Sequence, residues 1–575
     1  MILQALKAYY DRRAADPESG IAPFGWERKE IPYLIVLDRD GNLVNVEDTQ
    51  EKVGKKLRAR TFVVPQSVKR TVGVEPYFLW DNVEYVTGIN CKAGDQSKVD
   101  ERHAAFMARL EPFREVPVIR AVYEFLSSAE GVAQLERFEA WKDAREGCAF
   151  VAFRFVDGGA TMFDDEAVRS VVDGLSGTGD GESGIDLVGG GRGPVAMLHP
   201  AIKGIPGANT TGANIVSFNF PAATSFGKKQ GGNAPVGVRS AFEYTTALNT
   251  LLAKDSKQKM VVGDATVVFW ADCDDPFETA LANFFAEPSK DDPDRLSDSV
   301  KELFRSPKTG AFAPDCGGTR FYVLGLSPNA ARIAIRFWCV GTVAEMAGRF
   351  REYFEDFLIV HGAKDREHLS MWRLLVSTAA LGKSENIAPN LAGNFMRSIL
   401  EGLPFPETML QAVLTRIKAE HEVSYPRAKL IKGCLNRKWR FNNSNNERML
   451  TVSLDTQNTN AGYRLGRLFS VLEKIQEAAN PGLNATIKDR FYASASTTPA
   501  TAFANLMRLA VHHLSKLAKE KPGYKVNLEK AMQEILDGID GFPPHLALDD
   551  QGQFAIGYYH QRQSFFTKKD DGAEA

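Results

Sequence analysis

Residues 331–359, ARIAIRFWCVGTVAEMAGRFREYFEDFLI, hold the change of texture on which the fold reading turns. Ala334 to Val340 is a run of β-branched and aromatic residues, the composition of a strand. From about Thr342 the apolar residues fall three and four apart (Val343, Met346, Phe350, Phe354), the period of a helix with one buried face. Strand signals recur upstream. IPYLIVLD and NLVNV flank a hairpin turn at Asp40-Gly41, AFVAFRFV spans 149–156, and KQKMVVGDATVVFWA (257–271) reads as a buried strand. Downstream, REHLSMWRLLVSTAAL, AGNFMRSILEG and PETMLQAVLTRIKAE keep the helical period, and strands essentially disappear. The expected architecture is an α+β N-terminal region over 1–341 followed by an all-α C-terminal part. That part divides into a helical connecting region, 342–448, and a helical bundle, 449–575, with the polar joint NNSNNE (442–447) between them.

A chain of 575 residues exceeds one hydrophobic core. Its formal net charge of −2 gives no global attraction to a polyanion, so such binding must come from local patches. The six cysteines are scattered without a CxxC pair, which speaks against a disulfide framework or a structural zinc site. MILQALKAYYDRR is too charged for a signal peptide, and no run approaches the ~20 apolar residues of a membrane span. A cytoplasmic protein is expected.

One local patch is conspicuous. Between 187 and 239 there is no Asp and no Glu, while Arg192, Lys203, Lys228, Lys229 and Arg239 are spaced through a Gly- and Asn-rich text. Glycine permits close backbone approach, amides present paired donors and acceptors, and cations meet phosphate. Residues 52–70 form a second one-signed segment, with seven basic residues leading into Tyr77, Phe78 and Trp80. Residues 427–440 form a third, with Arg437, Lys438 and Arg440 around Trp439. Basic residues beside aromatics suit phosphate contact with base stacking.

Catalytic patterns are weaker. The G-x-G-x-x-G at Gly179, Gly181 and Gly184 carries Asp180 and Glu182, which would repel a pyrophosphate, and no strand leads into it. Gly382-Lys383-Ser384 has Ser377 where a phosphate-binding loop needs its first glycine. His421-Glu422 has no second histidine at metal-binding spacing, and His512-His513 point to different helix faces. Asp272, Asp274 and Asp275 follow a strand, as in Mg²⁺-dependent nucleases, but Asp275-Pro276 also reads as an ordinary helix cap. A metal-dependent nuclease using these three is the alternative reading; no catalytic residue, metal or cofactor is otherwise expected.

Several long strings together resemble one family. They are VPQSVKRTVGVEPYFLWDNVEYVTG (64–88), LHPAIKGIPGANTTGANIVSFN (198–219), SFGKKQGGNAPVGVRSAFEYTTALNTLL (225–252), VGDATVVFWAD (262–272), YVLGLSPNAARIAIRFW (322–338) and residues 462–517. The chain resembles the large subunit of the type I-C (Dvulg-subtype) CRISPR Cascade surveillance complex. The resemblance implies a non-enzymatic subunit that reads a protospacer-adjacent motif on duplex target DNA, helps open it, stabilises the R-loop and recruits a helicase–nuclease. It implies partners as well: a guide-processing subunit with the CRISPR RNA, backbone filament subunits, and a helical small subunit resembling the C-terminal bundle. An internal start at Met449 would supply that small subunit.

In such systems base pairing reads sequence while protein reads the adjacent motif and the displaced strand. Lys69, Arg70 and Asn82 form one candidate duplex-binding loop. Lys228, Lys229, Gln230 and Asn233 form another, with Gly231-Gly232 allowing backbone into a groove, and Asn209, Asn214 and Asn219 lie in the same acid-free stretch. Arg437, Lys438, Arg440, Arg464, Arg467, Lys488 and Arg490 are the candidates for the displaced single-strand path.

Overall fold

Asp38 organises the first hairpin. Its Oδ1 accepts from the backbone N–H of Asp40 (3.0 Å) and of Asn42 (2.8 Å), and Gly41 turns at φ +82°. The turn joins strands Tyr33–Leu37 and Leu43–Asp48 antiparallel. Phe150–Phe155 pairs parallel with the other edge of Tyr33–Leu37, and Trp80–Asn82 lies antiparallel beyond it. Every residue of Tyr33–Leu37 is buried, as a central strand covered on both faces requires. The parallel pair needs a long crossover, and the helices of that crossover supply Phe106, Ile119, Val122, Phe125 and Trp141 to the core. The computed structural model describes residues 2–566 apart from 55, 69, 71–72, 92–93, 160, 177–181, 286–293, 310–317 and 443–448.

A second four-stranded sheet runs in the order Lys259–Val262, Ala265–Ala271, Arg320–Asn329, Arg332–Thr342. The single strand expected over 257–271 is in fact a hairpin. Gly263 takes φ +62° and folds Lys259–Val262 back on Ala265–Ala271. A Cβ there would stand 2.6 Å from that of Ala392, so the turn is also a packing contact. Thr342 then caps the helix Val343–Asp356 in a reciprocal box: its hydroxyl accepts from Glu345 N–H, and Glu345 accepts from Thr342 N–H.

The chain divides into two compact units: 1–204 with 208–253 and 330–333, and 205–207 with 254–329 and 334–575. The division follows shared cores and not the change of texture at 342. The second sheet packs Phe269, Phe321 and Phe337 into one core with Phe350 and Phe354 of the following helix. The region from 343 to 564 is mostly helical, as expected after the β-rich N-terminal region. Within it, helices Ala461–Ala479 and Leu548–Ser564 pack backbone to backbone. A Cβ on Gly466 would lie 2.0 Å from the Phe554 carbonyl oxygen, and one on Gly557 2.0 Å from that of Tyr463. Glycine is required where backbones touch.

Candidate nucleic-acid interface

The acid-free stretch is closed at its base by the acid that precedes it. Asp186 accepts from Val188 N–H at 2.9 Å, and also from Ser240 and the N–H groups of Gly237 and Gly189. Burial works against its charge, and these bonds outweigh burial and hold the carboxyl below its usual range. Leu187 N–H bonds the Pro235 carbonyl and Ala196 N–H that of Val236, so both ends of the stretch are zipped together. A Cβ on Gly189 or Gly237 would stand 2.7 or 2.9 Å from Asp186 Oδ2, which explains both glycines.

Within the stretch, residues 225–233 form a braced loop. Asn233 holds it from inside: Oδ1 accepts from Ser225 N–H (3.1 Å), while Nδ2 donates to the carbonyls of Lys228 (3.2 Å) and Gln230 (3.0 Å). Lys228 N–H closes a turn on Ser225. Gly231 anchors the far side, donating to the Met197 carbonyl at 3.0 Å, and a Cβ there would come within 2.0 Å of the Ala196 oxygen. Gly231 therefore serves the chain's own packing, where the sequence suggested groove entry. Phe226 and Gln230 both sit at positive φ, +51° and +42°. Lys228, Lys229 and Gln230 are exposed, and neither lysine pairs with an acid among the described residues.

Gln230, Asn214 and Asn219 meet at one recess of about 40 Å³, lined also by Met197, Leu198, His199 and Phe218. His199 has no sequence signal of its own. Its Nδ1 lies 2.6 Å from Tyr244 Oη, burial pushes the ring down to about 4, and Nε2 is buried without a partner. Asn214 is a framework residue, its Nδ2 donating to the carbonyls of His199 and Pro200. Asn219 is exposed and accepts from Arg332 at 2.8 Å, and Asn209 is exposed.

Other expected contacts are engaged within the fold. Lys69 lies outside the described residues. Arg70 pairs with buried Asp81, donates to the Glu75 carbonyl, and is sandwiched between the rings of Tyr77 (3.9 Å) and Tyr85 (4.0 Å). Asn82 caps the short helix Val83–Thr87. The third basic segment is the helix Tyr425–Phe441, and it faces inward. Arg437 is 2% exposed and meets Asp356 at 3.1 Å, Arg440 meets both oxygens of Asp356 at 2.7 and 2.8 Å, and Lys438 bridges Glu407 and Asp549. Arg467 is buried against Gln561 and Glu534, and Arg464 donates to the carbonyls of Asn458 and Gly538. Arg70, Arg437, Lys438, Arg440 and Arg467 thus already pair with acids and Arg464 with backbone carbonyls, so any contact they made with nucleic acid would compete with these partners. Of the single-strand candidates, half-buried Lys488 and exposed Arg490 remain without a described acid partner.

The three aspartates do not gather. Asp272 accepts from Arg320 N–H and Asp275 from Phe277 N–H at the start of the helix Phe277–Phe285. Among the described residues one set of three metal-type ligands lies within 4.8 Å of one another: Glu84, Cys91 and Cys148. Sequence spacing hid this pair of cysteines. Glu84 already pairs with Arg102, and burial raises the Cys91 thiol.

A family model for CRISPR-associated protein (Cas_Csd1) matches residues 6–566. The chain belongs to that family. The Cas_Csd1 match runs through both compact units, so the braced loop and the helical region are parts of one CRISPR-associated protein. No curated protein matches this Cas_Csd1 chain. No helix among its described residues is long and apolar enough to cross a membrane.

Proposed function

We propose that the chain is the non-catalytic large subunit of a type I-C RNA-guided DNA-targeting complex, and that it reads the protospacer-adjacent motif on duplex DNA through residues 225–233. The observation that carries this reading is an internally hydrogen-bonded loop with two lysines unengaged by described acids and an exposed amide, set in a stretch without carboxylates, in a Cas_Csd1 chain. Lys228 and Lys229 meet phosphates and contribute at any sequence; Gln230 faces base edges and discriminates. Asn233 shapes the loop and does not itself read bases, because its amide is engaged. Lys488 and Arg490 mark the stretch of surface that meets the displaced strand. The guide RNA, the filament and guide-processing subunits, the small subunit and a helicase–nuclease are the partners of this assembly.

The test is binding to duplexes with and without the motif. Gln230→Ala should narrow the gap between the two with little loss on the non-specific duplex; an unchanged gap refutes the assignment of Gln230. Incubation with plasmid and Mg²⁺ or Mn²⁺ should leave the plasmid intact, and cleavage abolished by Asp272→Ala would replace this reading with the nuclease one. Blotting for a C-terminal fragment tests the internal start at Met449. That fragment would lack the helix Tyr425–Phe441, whose Ile431 and Leu435 cover Gly552 of the last helix.

A further inference from the structure

Cys91 and Cys148 stand 57 residues apart in the chain, and the fold brings their sulfurs and a Glu84 carboxylate oxygen within 4.8 Å of one another. Backbone contacts set this meeting. Val83 N–H bonds the Ala149 carbonyl at 3.1 Å, which seats the helix Val83–Thr87, and Glu84 with it, beside the run-in to strand Phe150–Phe155. Gly88 ends that helix at φ +71°, and the chain continues to Cys91 through Ile89, whose N–H donates to Thr87 Oγ1. Cys148 follows the helix Glu139–Glu146 with a left-handed backbone, φ +44°, its N–H on the Arg145 carbonyl. A non-glycine residue holds that conformation only where its surroundings impose it. Both cysteines are half-buried.

We propose that Glu84, Cys91 and Cys148 form a site for one Zn²⁺, with water in the fourth position, and that the ion clasps the segment between the two cysteines. Donor chemistry selects the ion. Two sulfurs exclude Mg²⁺ and Ca²⁺, which take oxygen, and an iron–sulfur cluster would need four cysteines. Tetrahedral Zn²⁺, with bonds of about 2.3 Å to sulfur and about 2.1 Å to oxygen, spaces its ligand atoms roughly 3.6–3.8 Å apart. The three side chains therefore need to close by no more than about 1.2 Å. Charge balances as well. Two thiolates, the Glu84 carboxylate, the Arg102 guanidinium paired with it and a dication come to zero. A carboxylate has two oxygens, enough for ion and arginine together, and Arg102 would then hold the Glu84 ligand in place as outer partners do. Arg145, the other cation near Cys91, is engaged by Glu136 at 2.6 Å. Without the ion, burial and the neighbouring Cys148 thiol hold Cys91 neutral, and a dication supplies the charge that releases the protons. The segment so closed carries Phe106, Ile119, Val122, Phe125 and Trp141 into the first core.

The test uses the full chain, reduced and stripped with chelator, and Co²⁺ alone as the probe, because it takes the Zn²⁺ geometry and reports bound thiolates by charge-transfer absorption. The wild type should bind one Co²⁺ per chain with thiolate bands, and Zn²⁺ should displace it. Cys91→Ser and Cys148→Ser should each weaken Zn²⁺ by more than about 100-fold, since loss of outer partners alone costs about 10- to 100-fold. Glu84→Gln should weaken it and keep the sulfur bands. Cys273→Ser, at an exposed cysteine outside the site, should change nothing. Thermal melts without metal check that each variant folds, and Zn²⁺ should raise the melting temperature of the wild type and not of the two site-cysteine variants. Absence of a thiolate band in the wild type, or a band that survives Cys91→Ser, overturns the site. An unchanged affinity in Glu84→Gln overturns the ligand set. A Cys91–Cys148 disulfide found by peptide mass spectrometry before reduction, with no Co²⁺ band after it, would make the pair a redox couple instead.

Discussion

Replacing Lys228 and Lys229 together by alanine removes two charges that the fold does not use. Both are exposed, and neither has a described acid partner, so their full charge is available to a ligand. Each phosphate neutralised on a duplex contributes about 0.9 to the slope of log K against log salt. If both lysines lie on phosphates, the double variant should flatten the slope by about 1.8, and at 0.1 M salt lose up to roughly 60-fold in affinity relative to 1 M extrapolation. Folding stability should change by less than about 0.5 kcal/mol, the usual range for surface substitutions. Anisotropy titrations of a labelled duplex across a salt series read the slope directly. The matched control is Lys438→Ala with Arg440→Ala, which removes two charges already engaged by Asp356, Glu407 and Asp549. An unchanged slope in the first variant, or an equal flattening in the control, would refute the reasoning.

Asp356→Ala should cost about 3–5 kcal/mol in chemical denaturation, because it leaves the buried Arg437 guanidinium without its counter-charge. Lys429, 2% exposed, bonds only oxygens without formal charge, the Glu367 carbonyl and Tyr425 Oη, and burial pushes its ammonium down to about 7. The folded chain then holds fewer protons than the unfolded one between about pH 7 and the ordinary value of 10.5, so stability rises with pH across that window. Wild type should gain roughly 2 kcal/mol relative to Lys429→Met between pH 7 and 9; a constant difference between the two denaturation series would show that the lysine's folded-state affinity for its proton is not lowered. Gly231→Ala should displace the whole loop, since its Cβ would overlap the Ala196 carbonyl. Hydrogen exchange should then quicken at Gly231 and Lys228, whose amides hold the loop in place, with the rest of the protection map unchanged.

Local pattern carried the sequence reading as far as local physics reaches. The Asp40-Gly41 turn and the helical period that begins near Thr342 are set by neighbours within a few residues, so they could be read directly. The acid-free stretch was equally visible because composition is a local property. What failed was any inference that needed a distant partner. The basic segment 427–440 looked like the loop at 228–229, yet Asp356, 81 residues before Arg437, turns it into an interior ion network. Cys91 and Cys148 form no motif in sequence and meet only because the first core folds. Gly263 likewise reads as part of one strand, and the turn it makes is explained only when Ala392 is seen packed against it.

The central claim is that residues 225–233 lie against duplex DNA, and a cryo-EM map of the ribonucleoprotein on a target duplex tests it most directly. The account predicts Lys228 and Lys229 at phosphates and Gln230 at base edges. A map showing this loop turned to bulk water, or seated on another protein chain away from the duplex, would contradict it.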